Sequence, residues 1–312
     1  MFSNVIVTGS IAFDEIMDFP GSFGDYIMPD KIHKLNVSFV VDTLEKQIGG
    51  TGTNIAYSIN LFEKNKVLLA SAIGSDGQIF IDWMNTQGMS TKLIYIDRKL
   101  FTATGKAITD KDDNQIWGFY YGACISGKNI DLSKKLNKTT LLVISANHPD
   151  AFLNFQSQAI KQRIEYIYDP GMSLTWIKKD DLREGVLNSR WFVGNDYEVE
   201  RISEIIGFSA SQLADKGIHV ITTLGHKGVR YQHKDEHVYL PAVHGIKIVD
   251  PTGAGDAWRG GFIAGLLRNM SIKESLAMGN AVASFAVERY GTVNHKPTLI
   301  QVERRMKEIL RG

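Results

Sequence analysis

Short apolar runs, each closing on a polar or glycine-bearing end, recur through this chain with helix-length stretches between them. Val5-Ile6-Val7 leads to Gly9; "VLLASAIG" fills 67–74, "LLVISA" 141–146, "IEYIYD" 164–169, "WFVGN" 191–195 and "IHVITTLG" 218–225. Between the first two, "IAYSINLF" places Ile55, Ile59 and Phe62 on one helical face. Such alternation predicts an α/β fold around a largely parallel sheet. In sheets of this kind ligands bind beyond the carboxyl ends of the strands. Those ends are where this chain keeps its unusual residues.

Two regions break the alternation. Residues 14–45 read as irregular and then extended, and 102–120, "TATGKAITDKDDNQIWGFY", reads as two strands around a turn at Asp110–Asn114. Together they predict a small β lid over the site, with an ordinary surface hairpin as the alternative. Residues 1–312 otherwise show no repeat, low-complexity tract or linker, and are expected to form one domain. The closing "VERRMKEILRG" predicts an amphipathic helix with a solvated basic face.

Composition narrows the function. The 312 residues carry 35 Lys and Arg against 34 Asp and Glu, a net charge of +1, so neither nucleic acid nor an acidic membrane is an expected partner. The single cysteine, Cys124, excludes an intramolecular disulfide and a Cys-rich metal site. The opening "MFSNVIVTGSIAF" lacks the layout of a secretory leader, and no apolar run nears the roughly 18 residues of a membrane span. A cytoplasmic protein is the expectation.

The most informative stretch is "VDPTGAGDAWRGGF", 249–262. Glycine permits positive φ and close backbone approach. Gly253, Ala254 and Gly255 can therefore turn successive amides into one space, at the positive end of a helix starting near Asp256. That is an anion site suited to phosphate. Asp256 would repel a phosphate, and the plain alternative makes it a helix N-cap. Phosphoryl transfer reconciles acid and anion site: the amides hold the moving group, and Asp256 takes the proton of the attacking hydroxyl as general base. Other nucleotide motifs fail. Gly105-Lys106 and Gly127-Lys128 lack the Walker spacing and its hydroxyl, and Trp258 stands where the third glycine of a dinucleotide fingerprint belongs.

"DPTGAGDAWRGGF" resembles the C-terminal signature of the ribokinase-like (PfkB) family of sugar and nucleoside kinases. "GGTGTNIA" at 49–56 resembles that family's N-terminal element, in the expected order roughly 200 residues earlier. The resemblance spans essentially the whole chain. It implies a ribokinase-like fold: a largely parallel sheet with helices on both faces plus a small β lid. It also implies ATP and Mg²⁺ as cofactors. On it, Asp256 is the base and Gly253, Ala254 and Gly255 the anion hole. Asp14 in "GSIAFDEI" would hold sugar hydroxyls, with Gly49, Gly50 and Asn54 approaching the sugar; a loop acid and a helix-capping Asn are the alternatives. "NDYE" brings Asn195 and Glu198 to Mg²⁺ and its waters. Thr223 and Gly225 of "TLG" would lie near the nucleotide phosphates, with Lys227 behind them; Asn280 and Ala283 would line the adenine pocket. Several members bind a monovalent cation such as K⁺ through backbone oxygens, which implicates Asp250, Thr252 and the segment 287–292. Arg259 is left with two readings, a phosphate contact or a solvent-facing cation.

The acceptor implied is a primary hydroxyl, and the resemblance is strongest to the prokaryotic adenosine and nucleoside kinase branch. Trp117, Phe119, Tyr120 and Tyr121, with Phe13 beside Asp14, offer aromatic faces to a nucleobase. Phe119 is the expected substrate contact. The alternatives are a sugar kinase acting on ribose or fructose, whose lid aromatics merely fill the lid's own core, and a non-catalytic binding protein, which the intact base and anion hole disfavour. Lid strands of the family often pair across a homodimer.

Overall fold

The computed structural model describes residues 1–28, 33, 34, 36–112 and 114–311. The part of the lid expectation that falls on 29–32, 35 and 113 lies outside the described residues. The strands are β1 (Asn4–Thr8), β2 (Ala12–Asp18), β3 (Thr43–Gly49), β4 (Val67–Ile73), β5 (Ile94–Ile96), β6 (Ala103–Thr109), β7 (Gln115–Tyr120), β8 (Thr140–Ser145), β9 (Tyr166–Asp169), β10 (Trp191–Asn195), β11 (His219–Thr223), β12 (Val229–His233) and β13 (Glu236–Leu240). The helices are α1 (Phe23–Tyr26), α2 (Thr51–Asn60), α3 (Gln78–Thr86), α4 (Pro149–Gln162), α5 (Lys179–Leu187), α6 (Asp196–Ile206), α7 (Ala210–Asp215), α8 (Ala254–Leu267), α9 (Ile272–Ala286) and α10 (Leu299–Arg311).

The large sheet has the order β13-β12-β11-β10-β9-β8-β1-β4-β5. It is parallel from β11 to β5, and β12 and β13 extend it antiparallel. Both faces are covered, which is why its strands read as continuous apolar runs rather than alternating ones. Val5, Val7, Leu141 and Val143 point into a core shared with α2, α3, α8, α9 and α10. Ile6, Leu142 and Ile144 point into the opposite core, shared with α4, α5, α6 and α7.

A second sheet, β3-β2-β6-β7, stands apart from the first. β2 pairs antiparallel with β3 and parallel with β6, and β6 pairs antiparallel with β7. Its strands are inserted after β1 and after β5, so both insertions leave the large sheet at carboxyl ends. The first begins at Ala12 and the return strand runs on to Gly49, past the expected 14–45. At the hairpin between β6 and β7 the buried Asp110 accepts bonds from the amides of Phe23, Asp112 and Asn114. The chain turns from one side of β1 (toward β4) to the other (toward β8), and a crevice opens at such a reversal.

Two close approaches carry the site. The Ser10 carbonyl beyond β1 accepts the Gly52 amide at 3.0 Å, and Ser10 Oγ accepts that of Thr51 at 3.1 Å, so the start of α2 is stapled to the end of β1. Helix α8 lies directly on α2 at Gly260, where a Cβ would collide with Ser58, and on α9 at Gly265, where it would stand 2.8 Å from Ser275 Cα. No described helix is long and apolar enough to cross a membrane. Gly260→Ala is expected to destabilise the protein by about 1–3 kcal/mol through overpacking, outweighing the roughly 1 kcal/mol that alanine gains over glycine inside a helix. Equilibrium urea unfolding measures this, and a variant as stable as the parent would refute the tight α2–α8 contact.

Candidate functional site

Helix α8 begins two residues before Asp256, because Gly253 takes the N-cap position with φ 73°, in the left-handed region. A side chain at Gly253 would meet Thr292 Cγ2 at 2.8 Å. Asp256 therefore sits inside the first helical turn, which removes the N-cap alternative. The Ala254 amide is drawn to the Pro251 carbonyl at 3.2 Å, whereas those of Gly253, Gly255 and Asp256 make no hydrogen bond among the described residues. Among 253–256 the free donors are thus the amides of Gly253, Gly255 and Asp256, and that of Ala254 is engaged.

Asn54 comes to Asp256 from the second turn of α2. Its Nδ2 donates to Asp256 Oδ2 at 2.9 Å, linking residues 202 positions apart. The N-cap of α2 is Gly50 (φ 91°), so Asn54 is no cap. Asn54 is buried, and its Oδ1 has no partner among the described residues. Burial pushes the Asp256 carboxyl up to about 7; Arg259 and the Asn54 bond pull it down, and Asp169 and Asp14 push it further up.

Asp14 lies on β2 at the lip of the small sheet, and burial raises its carboxyl to about 6. Gly49 leaves room for it: a side chain there would strike the Asp14 carboxylate. Asp14 is in register with Gly105, and Gly105 with Phe119, so the three form one row across the sheet. A Cβ on Gly105 would meet the Trp117 ring at 3.2 Å, Asp14 Oδ1 at 3.3 Å and the Phe119 ring at 3.5 Å. One face thus carries an acid with two aromatic rings. Trp117, Phe119 and Tyr120 are each more than two-fifths exposed, which excludes their being the core of the lid. Phe13 differs from expectation. It alternates to the opposite face, is buried against Phe80 with ring centroids 4.6 Å apart, and lies under Lys46 Nζ.

Asn195 and Glu198 close a capping box on α6: Asn195 Oδ1 accepts the Glu198 amide and Glu198 Oε2 accepts that of Asn195, both at 2.8 Å. Thr223 ends the neighbouring strand β11, and Gly225 follows with φ 58°. Lys227 is exposed. Asn280 is buried and fully engaged. Its Oδ1 accepts from Trp258 Nε1 at 2.8 Å and its Nδ2 donates to the Pro241 carbonyl at 2.7 Å, so it shapes a wall and offers no free polar group. Ala283, one turn on, is half-buried. Asp250 accepts from the amides of Thr252 and Gly291, both at 2.9 Å, and the amides of Val249 and Asp250 bond to the Val287 carbonyl. The loop carrying Asp250 and Thr252 is thereby fastened to the 287–292 segment. Among the described residues no group of three or more His, Cys, Asp or Glu is arranged to hold a metal ion.

Sequence reasoning missed Asp169. It closes β9, is buried, and takes Arg259 on both oxygens: Nη2 donates to Oδ1 at 2.6 Å and Nε lies 2.5 Å from Oδ2. Arg259 is accordingly not the solvent-facing cation of the alternative reading. Burial raises the Asp169 carboxyl to about 6 against the pull of Arg259, and Arg259 is held firmly protonated by Asp169 and Glu198. The signal was available in "IEYIYD", an apolar strand ending on an acid before Pro170-Gly171.

The assembled site has a helix-terminal turn with free amides, a carboxyl that burial pushes up to about 7 and an acid beside two aromatic rings. Known proteins share this framework. The chain is 28% identical over 287 residues to a nucleoside kinase of Methanocaldococcus jannaschii, covering 91% of this chain and 94% of that one. It is 24% identical over 272 residues to the ribokinase of Lactococcus lactis, covering 84% and 86%. Among solved structures, the Burkholderia thailandensis nucleoside kinase in complex with inosine superposes with a TM-score of 0.87 at 26% identity, over 99% of this chain and 98% of that one. The same enzyme in complex with ADP-inosine gives 0.83 at 27% identity, over 99% and 96%. The model of the pfkB family carbohydrate kinases matches residues 13–299, and the chain belongs to that family, a phosphotransferase acting on a hydroxyl.

Proposed function

We propose that this kinase transfers the γ-phosphoryl group of ATP to the primary hydroxyl of a purine nucleoside such as adenosine. The observation that carries the substrate reading is the row of Asp14, Gly105 and Phe119, with Trp117 beside it. A sugar needs hydrogen-bonding groups, and a base needs an aromatic face. This row supplies both side by side. The inosine and ADP-inosine complexes of the Burkholderia relative support the same class of acceptor and donor.

In this reading Asp14 accepts bonds from the ribose hydroxyls, and the unpartnered Asn54 Oδ1 accepts another. The base lies against Phe119 and Trp117, with the small sheet as lid. Asp256, oriented by Asn54 Nδ2, takes the proton of the attacking hydroxyl while that oxygen bonds to phosphorus and ADP departs with the electron pair of the broken bond. The free amides of Gly253, Gly255 and Asp256, at the positive end of α8, stabilise the charge on the moving group. Thr223 and Gly225 face the nucleotide phosphates. Glu198 and Asn195, with Glu198 Oε1 making no hydrogen bond among the described residues, suit an outer-sphere role toward Mg²⁺ and its waters. Mg²⁺ bound with ATP neutralises phosphate charge. A monovalent cation would take backbone oxygens from the fastened 249–253 and 287–292 loops. A second copy would pair along β7, which is exposed throughout.

Asp256→Asn keeps the acceptor for Asn54 and loses the base; kcat is expected to fall about 10²–10⁴-fold, and turnover within a few-fold of the parent rules out the assignment. Because the base must be ionised, kcat/KM should decline as pH drops through about 7, tenfold per unit, and hold level above it. A profile flat down to pH 5 contradicts this. ADP release across adenosine, inosine, ribose and fructose tests the substrate. Nucleosides are expected to win, and Phe119→Ala should weaken nucleoside binding by about 1–3 kcal/mol, the worth of a base–aromatic stack. Turnover of the free sugars alone would make the protein a sugar kinase.

A further inference from the structure

Arg259 stands three residues past Asp256 on α8, and long side chains on a helix run back toward its N-terminus. It is 8% exposed, an unusual burial for a full positive charge. One edge of its guanidinium is taken by Asp169, with Nη2 2.6 Å from Oδ1 and Nε 2.5 Å from Oδ2. Nη2 also comes within 3.9 Å of Glu198 Oε2. The remaining nitrogen, Nη1, makes no hydrogen bond or ion pair with any described residue. It lies 2.9 Å from the point that a Cβ on Gly255 would occupy. A buried cation is thus clamped by one carboxylate and neighboured by a second, and Nη1, bonded to no described residue, is left beside the free amides of Gly255 and Asp256.

A guanidinium that served only to tie α8 to β9 would need no more than the edge facing Asp169. The fork has five N–H donors, and those on Nη1 remain for a ligand. Glycine at 255 keeps that path open, since any side chain there would press on Nη1. The ligand must be an anion that also meets the free amides of Gly255 and Asp256, and Arg matches phosphate oxygens well. Resting on the phosphotransfer reading above, we infer that Arg259 is a catalytic residue that donates Nη1 to the transferred phosphoryl group, and that Asp169 is the positioning residue that aims it. No bond to Arg259 forms or breaks. The phosphoryl group passes from the bridging oxygen of ATP to the acceptor oxygen, the acceptor proton goes to Asp256, and Arg259 holds charge on the equatorial oxygens throughout.

Removing Arg259 alone strands a buried carboxylate, which is strongly destabilising. The decisive variant is therefore the pair Arg259→Gln with Asp169→Asn, which keeps a hydrogen-bonded neutral pair; Arg259→Lys is the single-site companion. Thermal melting reports folding, calorimetry reports ADP and ATP affinity, and ADP release with the best acceptor reports kcat. The paired variant is expected to fold and to bind ADP within about threefold of the parent. It should lose about tenfold or more of the parent's ATP-over-ADP preference, and kcat should drop about 10²–10³-fold, the scale for one charged transition-state donor. A kcat within about threefold of the parent, or equal losses for ADP and ATP, marks a merely structural pair and overturns the inference while the kinase reading stands. A parent protein that transfers no phosphoryl group to any acceptor tested overturns that reading and this inference together.

Discussion

The contact of α8 with α2 is what the site depends on. Asp256 is fixed by α8 and Asn54 by α2, and their 2.9 Å hydrogen bond exists only if the two helices lie nearly backbone to backbone. Gly260 permits that approach against Ser58, while Gly261 and Gly265 permit the matching approach of α9 on the other flank. The Trp258 indole then bonds to Asn280 and stacks on Phe262 with ring centroids 5.3 Å apart, locking the helix in rotation. Glycine inside a helix costs stability; here it is spent on the geometry of one carboxyl group.

The charges gathered around that carboxyl follow from the same geometry. Asp14, Asp169 and Asp256 all have carboxyls raised by burial. Each is harder to ionise than an exposed acid, and Asp14 and Asp169 both push the third upward. Arg259 opposes them. A cation fixed there keeps Asp256 close to neutrality instead of letting it rise out of the useful range for a base. On the proposed reading the site stores unfavourable burial at the place where phosphate charge would arrive.

Much of this was legible in the sequence because the responsible residues are local. The turn at Gly253–Gly255, the acid inside it and the strands around it are contiguous signals. The resemblance rested on two such stretches, 49–56 and 250–262. The bond from Asn54 to Asp256 and the pair of Arg259 with Asp169 join residues 202 and 90 positions apart, and spacing alone does not reveal them. The start of α8 was read two residues late because an aspartate after glycine is a strong capping signal, and only the left-handed Gly253 displaces it. Phe13 was misread for a different reason: neighbours on a strand point to opposite faces, so standing next to Asp14 in sequence takes its ring away from Asp14 in space.

The two sheets divide the labour physically. On the proposed reading the groups that would handle phosphate and proton (the free amides, Asp256, Arg259, Glu198) hang on carboxyl ends of the large sheet, whose two faces are both covered, or on helices packed against it. On the same reading Asp14, Trp117 and Phe119, the side chains that would meet the rest of the acceptor beside Asn54 of α2, stand with Gly105 on the four-stranded sheet inserted at two of those ends. In that case a change of side chain on the small sheet would alter which acceptor fits without disturbing the packing of α8 on α2 that sets Asp256. On that reading, such a separation lets one phosphoryl-transfer framework take acceptors as unlike as a free sugar and a nucleoside. It would also put the choice between them in the few side chains on the Asp14 face of the small sheet.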